Sequence, residues 1–203
     1  MSFEGITDKV GRYYSGRLRQ HGTTARGVDW NSEASQVLRF EQLARVLPAG
    51  DYSIVDYGSG YGALIDFLEG RGGNFEYQGF DVSAEMVEQA RRDHPSREFT
   101  TSESVLRPAD YALASGIFNV KLDTSIEDWE RYVVHTLDSL NHLGAQGFAF
   151  NMLTSYSDAD RMRADLYYGD PRFYFDHCKR NYSRQVALLH DYGLWEFTIL
   201  VRK

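Results

Sequence analysis

The sequence predicts an α/β fold whose seven-stranded, mostly parallel sheet ends in an antiparallel C-terminal hairpin and is preceded by an N-terminal helical lid. Three observations predict it. From Ile54 onward, short β-branched runs alternate with amphipathic helical stretches. A glycine-rich turn, Gly58-Ser59-Gly60-Tyr61-Gly62, joins the first of those strands to a helix. The last two strands are separated only by Asp191-Tyr192-Gly193, too few residues for a right-handed crossover, so they must pair antiparallel.

Strands are read at 53–57, 76–80, 97–100, 110–115, 146–152, 184–190 and 194–201. Between them, 61–68 places Leu64, Ile65 and Leu68 on one helical face, and 84–92 does the same with Met86, Val87 and Ala90. The longest helix is expected over 125–142. Thr124 and Glu127 have capping-box spacing, and Trp129, Val133, Leu137 and Leu140 recur at helical intervals before Gly144 stops the run. A last helix follows the fifth strand.

The first 50 residues stand outside this alternation. A helix is read over 31–46, capped by Asn31 or Ser32, with Val37, Phe40, Leu43 and Leu47 on one side. The turn-forming stretch before it ends in Trp30, and an ordered lid is expected there. The domain reading is one unit over 1–203, with 1–50 as the helical lid extension and 51–203 as the core.

Hydrophobic residues make up 42% of the chain and charged residues 25%, which are proportions of a packed rather than a disordered protein. Lys and Arg total 22 against 29 acids, so the formal charge is 22 − 29 = −7 and a polyanion is repelled on average. No nucleic-acid partner is expected, and the basic stretches 12–19 and 161–184 read as solvated faces. Arg26 and Arg39 are candidates to meet an anionic ligand end, but arginines on exposed helices usually meet water. The lone Cys178 excludes an internal disulfide. The start Met1-Ser2-Phe3-Glu4 opens no basic-then-apolar leader, and no run approaches the roughly 20 apolar residues of a membrane span. A cytoplasmic location without membrane partner is the expectation. His177 beside Cys178 lacks ligand-like companions, so no metal is expected.

A glycine turn between strand and helix lets backbone N–H groups approach an anionic or polar ligand. Gly58, Gly60 and Ala63 also satisfy the dinucleotide fingerprint, so the turn alone leaves two cofactor classes open. Asp56 inside the strand end is unusual for a dinucleotide fold and suits a cationic ligand end. Asp81, ending the next strand, suits ribose hydroxyls in either class. The terminal hairpin is foreign to a dehydrogenase half.

The strings Val55-Asp56-Tyr57-Gly58-Ser59-Gly60-Tyr61-Gly62 and Gly79-Phe80-Asp81-Val82-Ser83-Ala84-Glu85-Met86 resemble the first two motifs of class I S-adenosylmethionine-dependent methyltransferases. The resemblance implies the Rossmann-like fold of that family and S-adenosylmethionine as cofactor, with S-adenosylhomocysteine as product. It further implies that Gly58, Ser59, Gly60, Tyr61 and Gly62 wrap the methionine end, that Asp56 helps hold its ammonium, and that Asp81 binds the ribose. Val82 and Met86 would flank the adenine. The end of the fourth strand, Ser115-Gly116-Ile117-Phe118-Asn119, would lie beside the transferred methyl, with Gly116 on the donor side and Phe118 and Asn119 on the acceptor side. Trp30 reads either as a lid over the cofactor or as a staple at its helix start.

Methyl transfer is an in-line displacement, so the enzyme mainly positions the acceptor and excludes water. An oxygen acceptor of high pKa needs a base, whereas a carboxylate or phosphate oxygen needs none. His190 beside Asp191 is a candidate base; the alternative is an edge histidine next to a turn-capping Asp. The aromatic segment 156–174 reads as a substrate cover or as satellite core. A small-molecule acceptor is the leading expectation, with protein or RNA methylation, NAD-dependent oxidoreduction and a silent nucleoside-binding fold as alternatives. The strings His21-Gly22 and Gly27-Val28-Asp29-Trp30-Asn31 near the start, with Leu188-Leu189-His190-Asp191-Tyr192-Gly193 near the end, also resemble small bacterial methyltransferases of saccharide or natural-product pathways.

Overall fold

The computed structural model describes residues 3–203. Its strands are β1 (Tyr52–Tyr57), β2 (Phe75–Phe80), β3 (Glu98–Thr100), β4 (Ala109–Ala114), β5 (Gly144–Leu153), β6 (Gln185–Leu189) and β7 (Glu196–Arg202). They form one sheet in the order β3-β2-β1-β4-β5-β7-β6. β1 pairs parallel with β2 and β4, β2 with β3, and β4 with β5; β7 alone runs antiparallel, between β5 and β6. The order reverses at β1, so the crevice beyond the carboxyl ends of β1 and β4 is where an open α/β sheet takes ligands.

The helices are α1 (Phe3–His21), α2 (Glu33–Leu43), α3 (Ala63–Arg71), α4 (Ala84–Asp93), α5 (Ile126–Leu143) and α6 (Pro171–Asn181). Strand residues alternate between two cores, as the period of two requires. Val55 and Tyr57 pack with Ile6 of α1, Trp129 and Leu137 of α5, and Tyr174 of α6. Ile54 packs on the other face with Leu43 of α2, Leu64 and Leu68 of α3, and Val87 of α4. Among the described residues, no helix is long and apolar enough to cross a membrane.

The structure moves several of the sequence-predicted boundaries. β6 ends at Leu189 and β7 begins at Glu196, so the antiparallel connection has six residues and not three. α5 is capped by Ser125, whose Oγ accepts the Asp128 N–H at 3.1 Å, so the start lies one residue after Thr124. Thr124 is buried, and its own N–H donates to the Lys121 carbonyl instead. α2 is shorter than 31–46: Ser32 and Ser35 exchange a capping box, and the last turn tightens to a 3-10 helix at Ala44–Val46.

The N-terminal extension expected to be helical contains the nineteen-residue α1, which the sequence reading does not delimit. Gly5, Gly11 and Gly16 lower its intrinsic propensity. Packing on α4 and on the residues after β2 compensates. Gly11 suits the close crossing there, because a Cβ would stand 3.0 Å from the Val82 carbonyl oxygen. Ser15 and Ser83 share a hydroxyl hydrogen bond of 2.8 Å, and Arg19 meets Glu85 at 2.6 Å. α1 also ties down the lid, since Asp29 accepts the Tyr13 hydroxyl at 2.7 Å and pairs with Arg17 at 2.9 Å.

Candidate active site

Each strand end delivers a different part of the crevice. After β1 the chain turns through Gly58, Gly60 and Gly62, all at positive φ. A Cβ on Gly58 would collide with the Ile117 side chain at 2.1 Å, and one on Gly60 would press on Val28 at 3.1 Å. These two glycines therefore serve a close approach between the turn, the end of β4 and the lid. The turn is pinned to β2 by Gly58 and Ser59, whose N–H groups both donate to the Phe80 carbonyl, at 2.7 and 2.8 Å.

Asp81, at the end of β2, is 8% exposed. One carboxylate oxygen accepts the Gly60 N–H and the other the Ser83 N–H, each at 2.8 Å. It thus clamps the glycine turn to the start of α4 while keeping lone pairs for a ligand. Burial pushes its pKa up to about 6, against the lowering effect of those two N–H groups. Asp56 is buried beneath the turn and accepts the Tyr77 hydroxyl at 2.7 Å. Desolvation, helped by the nearby Asp81 charge, raises it to about 7 although the Tyr77 hydroxyl opposes the shift.

The glycine turn and Asp81 border a cavity of about 600 Å³, open solvent included. Of the sequence-predicted cofactor residues, Gly58, Gly60, Asp81, Val82, Met86, Gly116 and Trp30 line it. Asp56, Ser59, Tyr61 and Gly62 are not brought to its surface. Asp56 and Ser59 hold the turn from below, Tyr61 faces a separate hollow beside α2, and Gly62 leaves room for the His94 ring, 2.7 Å from where its Cβ would stand. Val10 and Tyr14 of α1 close the cavity on the far side and escaped sequence reasoning. Their signal was present as Ile6, Val10 and Tyr14, spaced by four.

A second, more open cavity of about 1080 Å³ adjoins the first and shares Tyr14, Val28 and Trp30 with it. Trp30 is the partition. Its ring lies against Gly116, where a Cβ would stand 2.2 Å from it, and the Arg39 guanidinium stacks on it at 3.8 Å from the ring centre. Arg39 was read as solvent-facing, yet it is buried. Its Nε donates to both Glu196 oxygens at 2.9 and 2.8 Å, its Nη2 also donates to Glu196, and its Nη1 donates to the Ser35 carbonyl. Gly116 is fixed from behind by its N–H donating to Asn151 Oδ1 at 2.7 Å.

Asn119 lines the second cavity, its Oδ1 accepting the Leu153 N–H at 2.9 Å. Phe118 does not reach it. The Phe118 ring is fully buried edge-on to Phe150, and its carbonyl accepts the Trp129 indole N–H. His190 does not reach either cavity. It is exposed just beyond β6, at the sheet edge, with Tyr156 and Phe197 as ring neighbours. The intervening β7 separates that edge from the crevice. The aromatic segment divides its roles: Tyr168 lines the second cavity, while Tyr167 and Tyr174 share a hydroxyl hydrogen bond in the core.

No family model matches the chain. A protein of Mycobacterium tuberculosis (strain ATCC 25618 / H37Rv), named "Putative methyltransferase Rv1506c", is 54% identical over 163 residues, covering 78% of this chain and 98% of that one. Solved structures of similar fold include the DhpI-SAM-HEP complex, with a TM-score of 0.68 at 15% identity over 100% of both chains. Magnesium protoporphyrin IX methyltransferase (ChlM) from Synechocystis PCC 6803 with bound SAH also has a TM-score of 0.68, at 13% identity and 99% of both chains. Human N-acetylserotonin methyltransferase with SAM has 0.66 at 17% identity, over 100% of this chain and 60% of that one. Two sequence motifs, the seven-stranded sheet with its reversed last strand, and a relative spanned over 98% of its length at 54% identity agree: the chain belongs to the class I S-adenosylmethionine-dependent methyltransferase family.

Proposed function

We propose that the chain transfers a methyl group from S-adenosylmethionine to an oxygen or nitrogen atom of a small molecule of saccharide or natural-product type. The observation that carries this reading is the meeting of two cavities at Tyr14, Val28 and Trp30. One is narrow and bordered by the glycine turn and Asp81; the other is wide and bordered by polar and aromatic side chains. The inner cavity fits the donor, because the backbone of Gly58, Gly60 and Gly116 lines it and Asp81, whose two oxygens each accept a backbone N–H, keeps acceptor capacity at its rim. When bound there, S-adenosylmethionine supplies a methyl group already activated on a sulfonium.

The chain's own residues then act by placement. Asp81 accepts the ribose hydroxyls, Val82 and Met86 flank the adenine, and the backbone at Gly58 and Gly60 borders the methionine end. Asp56 supports the turn through Tyr77. Trp30, braced by Arg39, separates the donor from bulk water and aligns the acceptor beside Gly116. The names of the Mycobacterium tuberculosis relative and of the solved methyltransferases support the donor assignment.

Incubating the protein with S-adenosylmethionine and fractionated metabolites is expected to give S-adenosylhomocysteine release that depends on a small-molecule fraction. Turnover on bulk tRNA or peptide with none on small molecules would reverse the assignment of the acceptor.

The Asp81 pKa gives a pH signature. A carboxylate raised to about 6 is ionised at pH 7 and above and takes up a proton as the pH falls through 6. S-adenosylhomocysteine affinity is therefore expected to be constant from pH 7 to 8 and to fall by up to about tenfold per unit below 6. Titration calorimetry across that range measures it, and undiminished affinity at pH 5 would show that the ionised form is not needed.

A further inference from the structure

We propose that the acceptor atom is an oxygen already ionised at neutral pH, a carboxylate or a phosphoryl oxygen, held in the outer cavity by Arg161 and Asn119 and methylated without a general base. The proposal rests on the donor reading above. It begins from what the outer cavity lacks. None of the 6 histidines lines either cavity. The outer cavity has two carboxylates in its lining, Asp29 and Glu196, and both are committed. Glu196 is 1% exposed and gripped by Arg39, and Asp29 holds the Tyr13 hydroxyl and Arg17. Tyr14 is the titratable group at the junction itself, and burial raises its phenol well above the ordinary value. It therefore serves as a donor, not a base. A neutral hydroxyl entering here meets nothing free to take its proton.

What the cavity offers instead is hydrogen-bond donors and positive charge. Asn119 lines the cavity and is 5% exposed; its oxygen accepts the Leu153 N–H, which leaves its amide nitrogen as the group with hydrogen atoms to donate. Arg161 sits on the loop between β5 and α6, with its guanidinium only within 3.8 Å of the equally exposed Asp160. By contrast, Arg163 is clamped to Asp165 through two nitrogens and Arg39 to Glu196. Arg161 is thus the lining arginine free to turn inward and fork onto an oxyanion.

The chemistry balances with these groups. An ionised oxygen supplies the electron pair of the new O–CH₃ bond as the C–S bond breaks onto sulfur. The two opposite charges cancel, giving a neutral ester or one less phosphoryl charge and a neutral thioether, and no proton has to leave.

The test uses protein saturated with S-adenosylhomocysteine, titrated with benzoate, phenylphosphonate and benzyl alcohol while tryptophan fluorescence is followed, since Trp30 and Trp195 line the cavity. At least one of the two anions is expected to bind ten times or more tightly than the alcohol, and which one separates the carboxylate from the phosphoryl source. Arg161→Ala should weaken that anion about tenfold and leave the S-adenosylhomocysteine Kd unchanged; the side chain is exposed, so the variant folds. Benzyl alcohol binding as tightly as the anions, no anion binding, or an anion Kd unmoved by Arg161→Ala would each overturn the proposal. Failure to bind S-adenosylhomocysteine at all is a different result, which removes the donor reading and this inference with it.

Discussion

Glu196→Ala is expected to lower the stability by about 3 kcal/mol, near the low end of the 3–5 kcal/mol lost when one partner of a buried ion pair is removed. The Arg39 and Glu196 side chains are 7% and 1% exposed, so the substitution strands a guanidinium with little water around it. The low end applies because Arg39 borders the outer cavity and gains partial hydration there. For a chain of this size the Tm should fall by about 6–12 °C. A double-mutant cycle separates the pair from its surroundings. Arg39→Leu with Glu196→Leu should cost less than either Arg39→Leu or Glu196→Leu alone, since no unpaired charge remains. Costs that simply add would mean the two residues do not act as a pair. The same variants should disturb acceptor binding, because Arg39 braces the Trp30 partition.

Asp81→Ala is expected to weaken S-adenosylhomocysteine binding by about 10- to 150-fold, the equivalent of the roughly 1.5–3 kcal/mol of a hydrogen bond to a charged group. The protein should remain folded. Burial already disfavours the Asp81 charge, as its raised pKa records, so deleting the carboxylate relieves desolvation while it orphans the Gly60 and Ser83 N–H groups. Asp81→Asn keeps an acceptor oxygen for one of those N–H groups and should bind between the two. Circular dichroism checks the fold and calorimetry the affinity. Unchanged affinity in Asp81→Ala would place the ribose elsewhere.

Local signals made much of this legible in the sequence. The glycine turn, Asp81 and the short connection between β6 and β7 are each encoded within a few residues. What escaped depends on contacts distant in the chain. Arg39 meets Glu196 across 157 positions, and nothing near either residue distinguishes a buried arginine from a solvated one. The bounds of α1 were hidden by its glycines, although Gly11 suits the close crossing of the helix over Val82. His190 beside Asp191 reads either as a base or as an edge histidine, and the structure shows the edge position. Its place at a sheet edge followed from the strand order, which the hairpin alone did not fix. Asn119 and Phe118 are adjacent, and the direction of their side chains decided which one faces the cavity.

Calorimetric titration of the wild-type protein with S-adenosylhomocysteine and, separately, with NAD tests the central claim most directly, because the glycine turn alone suits either cofactor. The expected result is saturable, one-to-one S-adenosylhomocysteine binding that is lost in large part in Asp81→Ala, with no NAD binding. Tight NAD binding without S-adenosylhomocysteine binding would contradict it.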